Sequence, residues 1–401
     1  MDFNYTPEQH AFRAQVQDWV RSALPPGWGH TVFEPHDYAE RAVFKQEWDR
    51  AMFAGGWAGI NWAREYGGRG ATLVEQAIFL EEMAFARAPE GLNIVGRNLA
   101  GPTIIRYGTA GQKDRFLRPI LAGEEVWCQG FSEPNSGSDL ASLRCRAELR
   151  GDRFVVNGQK VWTSFAQFAQ WCFLLCRTDT TLAKHKGISF LLVDMRTPGV
   201  TIRPLVQING DTEFSEVFFD DVEVPAENLV GELNGGWSIA MTTLTVERGP
   251  EEALYRQVRF KHDLDRLIDF ARTTERDGRP IAADPVVRQK LAAIGMEVEL
   301  MRLNILRAFS KALNGKELGP EASFTKLYWS HMWTRLAELA VELQGPSAAL
   351  AAGDPFVIGG GAAQFNWLSS KASTIYSGSS EVQRNIIGER VLGLPKEPLA
   401  A

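Results

Sequence analysis

The sequence lacks three features that would each indicate a particular class of protein. Its four cysteines have no metal-ligand spacing with histidine, so we expect buried, reduced thiols, a cytoplasmic location and no metal site. It contains no run of about eighteen apolar residues, and its N-terminus lacks the basic start and apolar core of a signal peptide. The net charge is -6 and no Lys/Arg run stands out. We therefore expect neither membrane insertion nor nucleic-acid binding.

Three regions of different texture follow one another along the chain. Residues 1–124 show helical periodicity, residues 125–235 contain short apolar runs separated by Gly, Pro or Asp, and residues 236–401 return to long helical patterns. Many short strands with intervening turns are typical of a small barrel or sandwich, and long helices joined by short loops of a bundle. The sequence predicts an α+β protein with an N-terminal α-helical domain, a middle β-barrel domain and a C-terminal four-helix bundle.

Three local signals predict where elements begin or turn. Thr6-Pro7 indicates the start of an amphipathic helix, and Asn157-Gly158 predicts a hairpin turn between two short strands. Ser380 followed by Gln383 fits a capping box, which predicts that a helix starts at Ser380.

Two stretches contain residues suited to binding a cofactor. "SEPNSGSDLASL", which begins at Ser132, offers hydroxyls and close backbone N–H groups to a phosphate, although most Ser/Gly-rich turns are only turns. "KVWTS" places Trp162 beside hydroxyls at the end of a predicted strand. An aromatic ring beside hydroxyls suits a flat conjugated cofactor, whereas a core tryptophan is the commoner case.

Together with "GWSIAMTTLTVER", "LQG" and "IYSGSSEVQRNIIGERVLGLP", these stretches resemble the acyl-CoA dehydrogenase family along the whole chain, in order and spacing. The order of the predicted domains is also that of the family. The resemblance implies FAD-dependent α,β-dehydrogenation of an acyl-CoA thioester, in which the α-proton is removed while a hydride leaves the β-carbon for flavin N5. It also implies electron-transfer flavoprotein, or a similar acceptor, as a partner.

The resemblance assigns residues to the cofactor and to the substrate. The flavin contacts it implies are Phe131, Ser132, Gly137, Ser138, Trp162 and Ser164. In family tetramers Gln344, Gly345 and the turn from Ser379 to Glu381 of a neighbouring subunit reach the adenine half. The thioester contacts it implies are Ser138, Arg248, Tyr376 and Gly378.

The sequence departs from the family at the catalytic base. Many relatives carry Glu directly after the loop tyrosine, whereas here Ser377 follows Tyr376. A serine hydroxyl without a paired His or Lys is not a general base near neutral pH, but the Ser377 backbone N–H can still donate to the thioester oxygen. Glu247 matches the position of the base in a subset of relatives. The alternative is a solvated or Arg-paired helix glutamate, with Arg248 supporting the site.

A second departure concerns the Arg-x-x-Phe-Gly run that binds FAD across a family interface. Here Thr274 and Asp277 replace its Arg and Phe, and Arg276 or Arg272 is a substitute only with altered spacing. Both departures are similar to bacterial paired subunits acting on sterol side chains and dicarboxylyl-CoA esters. A homotetramer and an α2β2 heterotetramer therefore both stay open. Two alternatives to the dehydrogenase are a non-catalytic or half-site partner subunit and a flavin oxidase or monooxygenase.

The acyl group is not specified by any motif. Arg97 and Asn98 lie where family helices line the acyl tail, which would suit a polar or carboxylated tail. A surface or helix-end arginine is the simpler interpretation.

Overall fold

The computed structural model describes residues 5–29, 32–35, 37–246, 250–316, 319 and 322–396. Within them, the helices before the sheet are α1 Pro7–Ala23, α2 Tyr38–Ala54, α3 Leu73–Phe85, α4 Gly101–Tyr107 and α5 Ala110–Ala122. The predicted start of α1 is confirmed, and Thr6 and Gln9 exchange hydrogen bonds there as a capping box, with N···O distances of 2.9 and 3.3 Å. No helix in the described ranges is long and apolar enough to cross a bilayer.

The middle of the chain forms one eight-stranded sheet. Its strands are β1 Trp127–Gly130, β2 Arg146–Arg150, β3 Arg153–Ser164, β4 Trp171–Arg177, β5 Ile188–Asp194, β6 Val200–Pro204, β7 Phe214–Pro225 and β8 Leu229–Val230. The order across the sheet is β6-β7-β3-β2-β4-β5-β8, and β1 pairs in parallel with β4. The ends of β1 and β3 therefore belong to one continuous sheet.

The hairpin predicted at Asn157-Gly158 is wrong. β3 runs without a break through both residues, and the chain reverses one strand earlier, between Arg150 and Arg153. Gly158 serves close packing instead, because a Cβ there would lie 2.6 Å from the Cα of Cys145. The Asn157 side chain hydrogen-bonds Asp221 within the neighbouring strand β7, donating to its carboxylate and accepting from its backbone N–H.

Helices return after the sheet. They are α6 Gly236–Val246, α7 Pro250–Thr273, α8 Pro285–Leu313, α9 Ala322–Gln344, α10 Ala362–Ala372 and α11 Ser380–Ile386. A small hairpin of β9 Glu275–Arg276 and β10 Arg279–Pro280 joins α7 to α8. The predicted fold class, with helices before and after a middle β region, is confirmed.

The described residues form two compact units. One contains most of α1, α3 and the chain from α7 onward, and its core consists of the apolar faces of α7, α8 and α9. The other contains α2, α4, α5, the sheet and α6, and its core lies among strand residues such as Phe154, Leu174 and Val217. The domain boundaries predicted at residues 124 and 235 stay a prediction.

Candidate active site

A buried ion pair anchors the segment after β1. Lys160 on β3 is fully buried, and its Nζ donates to Glu133 Oε1 at 2.8 Å and to the Phe131 carbonyl at 2.9 Å. The Glu133 carboxylate also accepts from the backbone N–H groups of Arg144 and Cys145, at 2.7 and 2.9 Å. Buried charges are tolerated when they are paired and hydrogen-bonded in this way. The segment is therefore fixed against β3.

Three of the predicted cofactor residues keep their hydroxyls available. The Ser132 carbonyl accepts from the Val161 N–H at 2.9 Å, which places Ser132 beside β3. Within the described ranges the hydroxyls of Ser132, Ser138 and Ser164 make no hydrogen bond. A Cβ at the exposed Gly137 would meet no atom within 4 Å. This turn can therefore accept an anionic group without losing internal contacts.

Trp162 stands out of the sheet at an irregularity in β3. The pairing with β7 shifts register between Lys160 and Thr163, and Trp162 has a φ of 60°. Trp162 is 58% exposed, and its ring meets that of Phe214 edge to face, at a ring-centroid distance of 5.9 Å. The core-tryptophan interpretation is therefore wrong for this residue. The bulge turns one flat aromatic face outward beside Ser164.

The residues of the sheet unit fit a flavin. Phe131 is buried and packs edge-on against Phe173 at 5.6 Å, so its role in the isolated chain is to support the turn. The hydroxyl of Thr163 is buried and has no hydrogen-bond partner in the described residues. A buried polar atom without a partner is unfavourable unless a ligand or water completes it. Exposed aromatic face, open glycine and available hydroxyls together suit a flat ring system with a phosphate tail.

The loop before α11 carries the residues predicted to face the thioester. The Ser380 N–H closes it by donating to the Thr374 carbonyl at 2.9 Å. Ser377 has a φ of 52° and Gly378 a φ of 87°, so two successive residues adopt the left-handed region. A residue with a Cβ rarely does so. The conformation of the loop is therefore specified by its surroundings.

The helix start predicted at Ser380 is confirmed, whereas the capping box predicted between Ser380 and Gln383 is wrong. Ser379 is the N-cap of α11, and its Oγ accepts from the Val382 N–H at 3.4 Å. The Ser380 hydroxyl lies 3.0 Å from Nε2 of His331 on α9, so it is engaged elsewhere. Burial, helped by the positive charges of neighbouring side chains, lowers the pKa of His331. The ring is therefore neutral near pH 7.

Gln383 lies beneath the loop. It is fully buried, and its Nε2 donates to the Ser377 carbonyl at 3.1 Å and to the Gly378 carbonyl at 3.3 Å. Its Oε1 is buried and has no hydrogen-bond partner in the described residues. Both donors of the carboxamide are therefore used on the two residues with positive φ.

An aromatic cluster supports Tyr376. Its half-exposed ring lies 6.3 Å, centroid to centroid, from buried Trp329, which in turn lies 6.3 Å from Phe260. The Arg256 guanidinium lies over the Trp329 ring at 4.7 Å. Tyr376 in the loop is therefore supported by packed aromatic side chains.

Arg276 lies next to the residues predicted to reach the adenine half of a neighbour's cofactor. Its Nη2 donates to the Leu343 carbonyl at 2.9 Å, immediately before Gln344 and Gly345. Gly345 has a φ of 58°, and its Gln344 neighbour has a buried Oε1 without a hydrogen-bond partner in the described residues. The Arg276 cation and the spare acceptor of Gln344 therefore lie close together. The other residues predicted to reach a neighbour's cofactor, Ser379 and exposed Glu381, lie at the start of α11.

Two predicted site residues, Glu247 and Arg248, lie outside the described residues. α6 ends at Val246 and α7 begins at Pro250. The proposed roles of Glu247 and Arg248 therefore stay predictions.

Arg97 is not a surface arginine. It is buried, and its Nη1 lies 2.8 Å from Oδ1 of Asp49, which is also buried. Desolvation raises the pKa of Asp49, and the charge of Arg97 opposes that shift. Because its charge is balanced within the chain, Arg97 is a poor receptor for a carboxylated tail.

Sequence reasoning missed the groups that hold the site residues in place. Lys160 belongs to the "KVWTS" stretch, and no local pattern links it to Glu133, 27 positions earlier. The pattern that marks a capping box at Gln383 also fits a side chain turned toward the preceding loop. A charged residue inside an apolar strand is the one signal that could have identified Lys160.

The chain is similar to acyl-CoA dehydrogenases throughout its length. The family descriptions "Acyl-CoA dehydrogenase, N-terminal domain", "middle domain" and "C-terminal domain" match residues 6–124, 128–222 and 234–392. It is 40% identical over 411 residues to acyl-CoA dehydrogenase IpdE1 of Mycolicibacterium smegmatis, covering 97% of this chain and 99% of that protein.

Two solved structures are similar over their whole length. The Tcur3481-Tcur3483 steroid ACAD gives a TM-score of 0.85 at 28% identity, covering 99% of this chain and 100% of that one. The ChsE4-ChsE5 complex from Mycobacterium tuberculosis gives 0.84 at 30% identity, with coverage of 99% and 100%. The chain belongs to the acyl-CoA dehydrogenase family, whose members are FAD-dependent oxidoreductases.

Proposed function

We propose that this FAD-dependent acyl-CoA dehydrogenase uses Glu247 as its base and the Ser377 backbone N–H as the donor to the thioester carbonyl. The observation that carries the proposal is the constrained turn at Ser377 and Gly378. A backbone N–H held in one direction can stabilise the negative charge that develops on a carbonyl oxygen as the α-proton leaves. A serine side chain needs a paired His or Lys to act as a base, and the neighbouring histidine, His331, is hydrogen-bonded to Ser380. This supports a backbone rather than a side-chain role for Ser377.

The chain's own residues would bind the cofactor and accept the α-proton of the substrate. Ser132, Ser138 and Ser164 offer hydroxyls to FAD, and Trp162 offers an aromatic face. FAD supplies the acceptor for the hydride that leaves the β-carbon. Glu247 takes the α-proton, a role that requires a carboxylate in an apolar surrounding.

For the substrate we propose a bulky ring-containing acyl-CoA. One similar protein of known structure, Tcur3481-Tcur3483, is a steroid ACAD, at 28% identity. Tyr376 on its Trp329 base offers a flat apolar surface suited to fused rings. Arg97, neutralised by Asp49, favours an uncharged tail over a carboxylated one.

For the assembly we propose an α2β2 heterotetramer in the cytoplasm that participates in lipid metabolism and passes electrons to electron-transfer flavoprotein. Two of the similar structures, Tcur3481-Tcur3483 and the ChsE4-ChsE5 complex, pair two differently named chains. Arg276 beside Gln344 supports a contribution from this chain to a partner's cofactor site. A homotetramer is the alternative, and flavin content of the chain purified alone and with a sister chain distinguishes them. A colourless chain that never reduces flavin with any partner would indicate the non-catalytic subunit instead.

The test of the base is Glu247→Gln. Losing a general base costs about 10²–10⁴-fold in rate, roughly 3–5 kcal/mol of barrier, so flavin reduction should slow by that factor. Flavin content and acyl-CoA affinity should persist, and Ser377→Ala should cost far less because only its N–H is assigned. Glu338→Gln, an exposed glutamate on α9, is the matched control. Near-normal flavin reduction by Glu247→Gln would move the base to Glu251, Glu252 or a partner chain.

A panel of acyl-CoA esters tests the substrate. Straight-chain, branched, aromatic, dicarboxylyl and steroid esters are compared by the rate at which each reduces the flavin. The proposal expects the steroid ester to react fastest. Preference for straight chains would contradict it. Rapid reoxidation of reduced flavin by O₂ with product bound would instead indicate an oxidase.

A further inference from the structure

We propose that Gln383 is the positioning residue that sets the direction of the Ser377 backbone N–H, and thereby the polarisation of the thioester. The inference rests on the role proposed above for that N–H. Gln383 does not touch the substrate in this proposal, and it acts only through the loop.

The Gln383 side chain forms two hydrogen bonds with the loop. A carboxamide nitrogen has two N–H donors, and here the Gln383 Nε2 lies 3.1 and 3.3 Å from two consecutive carbonyl oxygens. Those carbonyls belong to Ser377 and Gly378, whose φ angles are 52° and 87°. The same side chain therefore fixes both peptide planes that follow the Ser377 Cα.

A turn of this kind needs such support. An L-residue in the left-handed region is unfavourable and persists only where the surroundings specify it. The far end of the loop is closed separately, because Ser380 is held by the Thr374 carbonyl and by His331. Gln383 acts on the carbonyls of Ser377 and Gly378 themselves, and of these two residues Ser377 is the one whose Cβ makes a positive φ unfavourable.

The burial of Gln383 indicates that its donors matter more than its packing. Its Oε1 lies buried without a hydrogen-bond partner in the described part of the chain, which is unfavourable. A leucine would fill similar space without burying that oxygen. It could not supply two donors to the Ser377 and Gly378 carbonyls.

The consequence for catalysis follows from geometry. A donor must lie about 2.7–3.1 Å from the oxygen that becomes negative, and displacement of about 1 Å can cost about 100-fold in rate. The Ser377 N–H lies in the peptide plane that precedes the Ser377 Cα, so Gln383 acts on it through the φ angle of Ser377. If the Gln383 donors are lost, that φ angle is no longer held, and the N–H can rotate away from its position. The loss falls on the transition state, because the charge is largest there.

The first test is Gln383→Leu, assayed with the acyl-CoA from the panel above that reduces the wild-type flavin fastest. We expect kcat for flavin reduction to fall about 10- to 100-fold, with KM and flavin content unchanged. Asn385→Leu removes an exposed carboxamide from the same helix and should match the wild type. A Gln383→Leu protein with normal kcat would overturn the proposal, and so would equal losses in both variants.

A second variant decides the question even if Gln383→Leu fails to fold. Gln383→Glu keeps the shape, and its carboxyl donates one O–H only while it is protonated. Burial among carbonyls raises the pKa of that new carboxyl. The rate of flavin reduction by the variant should therefore fall as pH rises and the carboxyl loses its proton. In the wild type the rate should instead increase as pH rises, because the base becomes deprotonated. A pH profile parallel to that of the wild type would contradict the positioning role.

The outcomes separate this inference from the proposed function. If none of the esters in the panel reduces the flavin of the wild-type protein, the proposed function is wrong. If the wild type reacts and both Gln383 variants match it, only the inference about Gln383 fails.

Discussion

Two segments that carry predicted site residues are held in place by different forces. In the sheet unit, the segment after β1 is fixed by the buried charges of Lys160 and Glu133, 2.8 Å apart. In the helical unit, the loop before α11 is fixed by neutral groups, chiefly the Gln383 carboxamide and the Ser380 hydroxyl. Losing one partner of the buried ion pair strongly destabilises the fold, because the other charge is left buried and unpaired. The neutral hydrogen bonds of the loop each contribute modestly to stability.

The difference corresponds to what each segment is proposed to do. A segment that binds a cofactor for many turnovers can be anchored by a buried ion pair, since it has only to stay in place. A charged anchor in the loop that meets the thioester would add an electric field at the carbonyl besides that of the proposed base, because charges in a low-dielectric site act over several ångströms. Neutral donors can set its geometry without adding such a field.

The largest effect expected is on the charged anchor. Lys160→Met leaves the Glu133 carboxylate buried without its cation, which should lower the free energy of unfolding by about 3–5 kcal/mol. Urea unfolding measures the loss, and flavin content should fall with it. Lys184→Met breaks the exposed pair with Asp139 and should cost less than about 1 kcal/mol. Equal losses in the two variants would remove the distinction between the segments.

A smaller effect concerns pH and the carboxyl of Glu213 in the sheet unit. Burial raises its pKa to about 7, with Lys45 opposing the shift. The folded state therefore binds more protons than the unfolded state between about pH 4.5 and 7, so this group lowers stability as pH rises through that range. We expect Glu213→Gln to be more stable than wild type at pH 8, by about 3 kcal/mol, and nearly equal at about pH 4.5. Stability curves that stay parallel between these pH values would contradict the shift.

The smallest effect concerns the strained turn. Ser377→Gly replaces a residue at φ 52° by one that adopts this region freely, so the free energy of unfolding should rise by less than about 1 kcal/mol. Ser369→Gly, in the middle of α10, should instead lower it by about 1 kcal/mol. Thermal unfolding of the two variants distinguishes these signs. A destabilised Ser377→Gly would show that the serine side chain itself holds the loop.

The order of helices, sheet and helices could be predicted because it depends on local periodicity. The start of α1 at Pro7 likewise follows from a short, self-contained pattern. The hairpin at Asn157-Gly158 failed because the same dipeptide signal served a close approach to Cys145 inside a strand. Tertiary contact, which no local pattern contains, decided between the two.

The residues of the candidate site likewise fall into those that a local pattern indicates and those that depend on tertiary contacts. Trp162 and Ser164 could be proposed as cofactor residues because their motif is contiguous, although the outward turn of Trp162 depends on a bulge against β7. Gln383 could not be assigned, because its partners depend on how the loop folds back over α11. Residues that do chemistry leave local signals in a sequence, whereas residues that position them are recognised only once the chain is folded.

The burial of the four cysteines has a practical consequence for labelling the protein. All four are free and almost fully buried, and burial raises the pKa of Cys145 to about 11. Thiolate is the reactive form, so maleimide or iodoacetamide should leave the native chain unmodified near neutral pH. A single cysteine introduced at exposed Ile375 would then carry a fluorophore or spin label alone, and the motion of the loop could be followed without first removing the natural thiols.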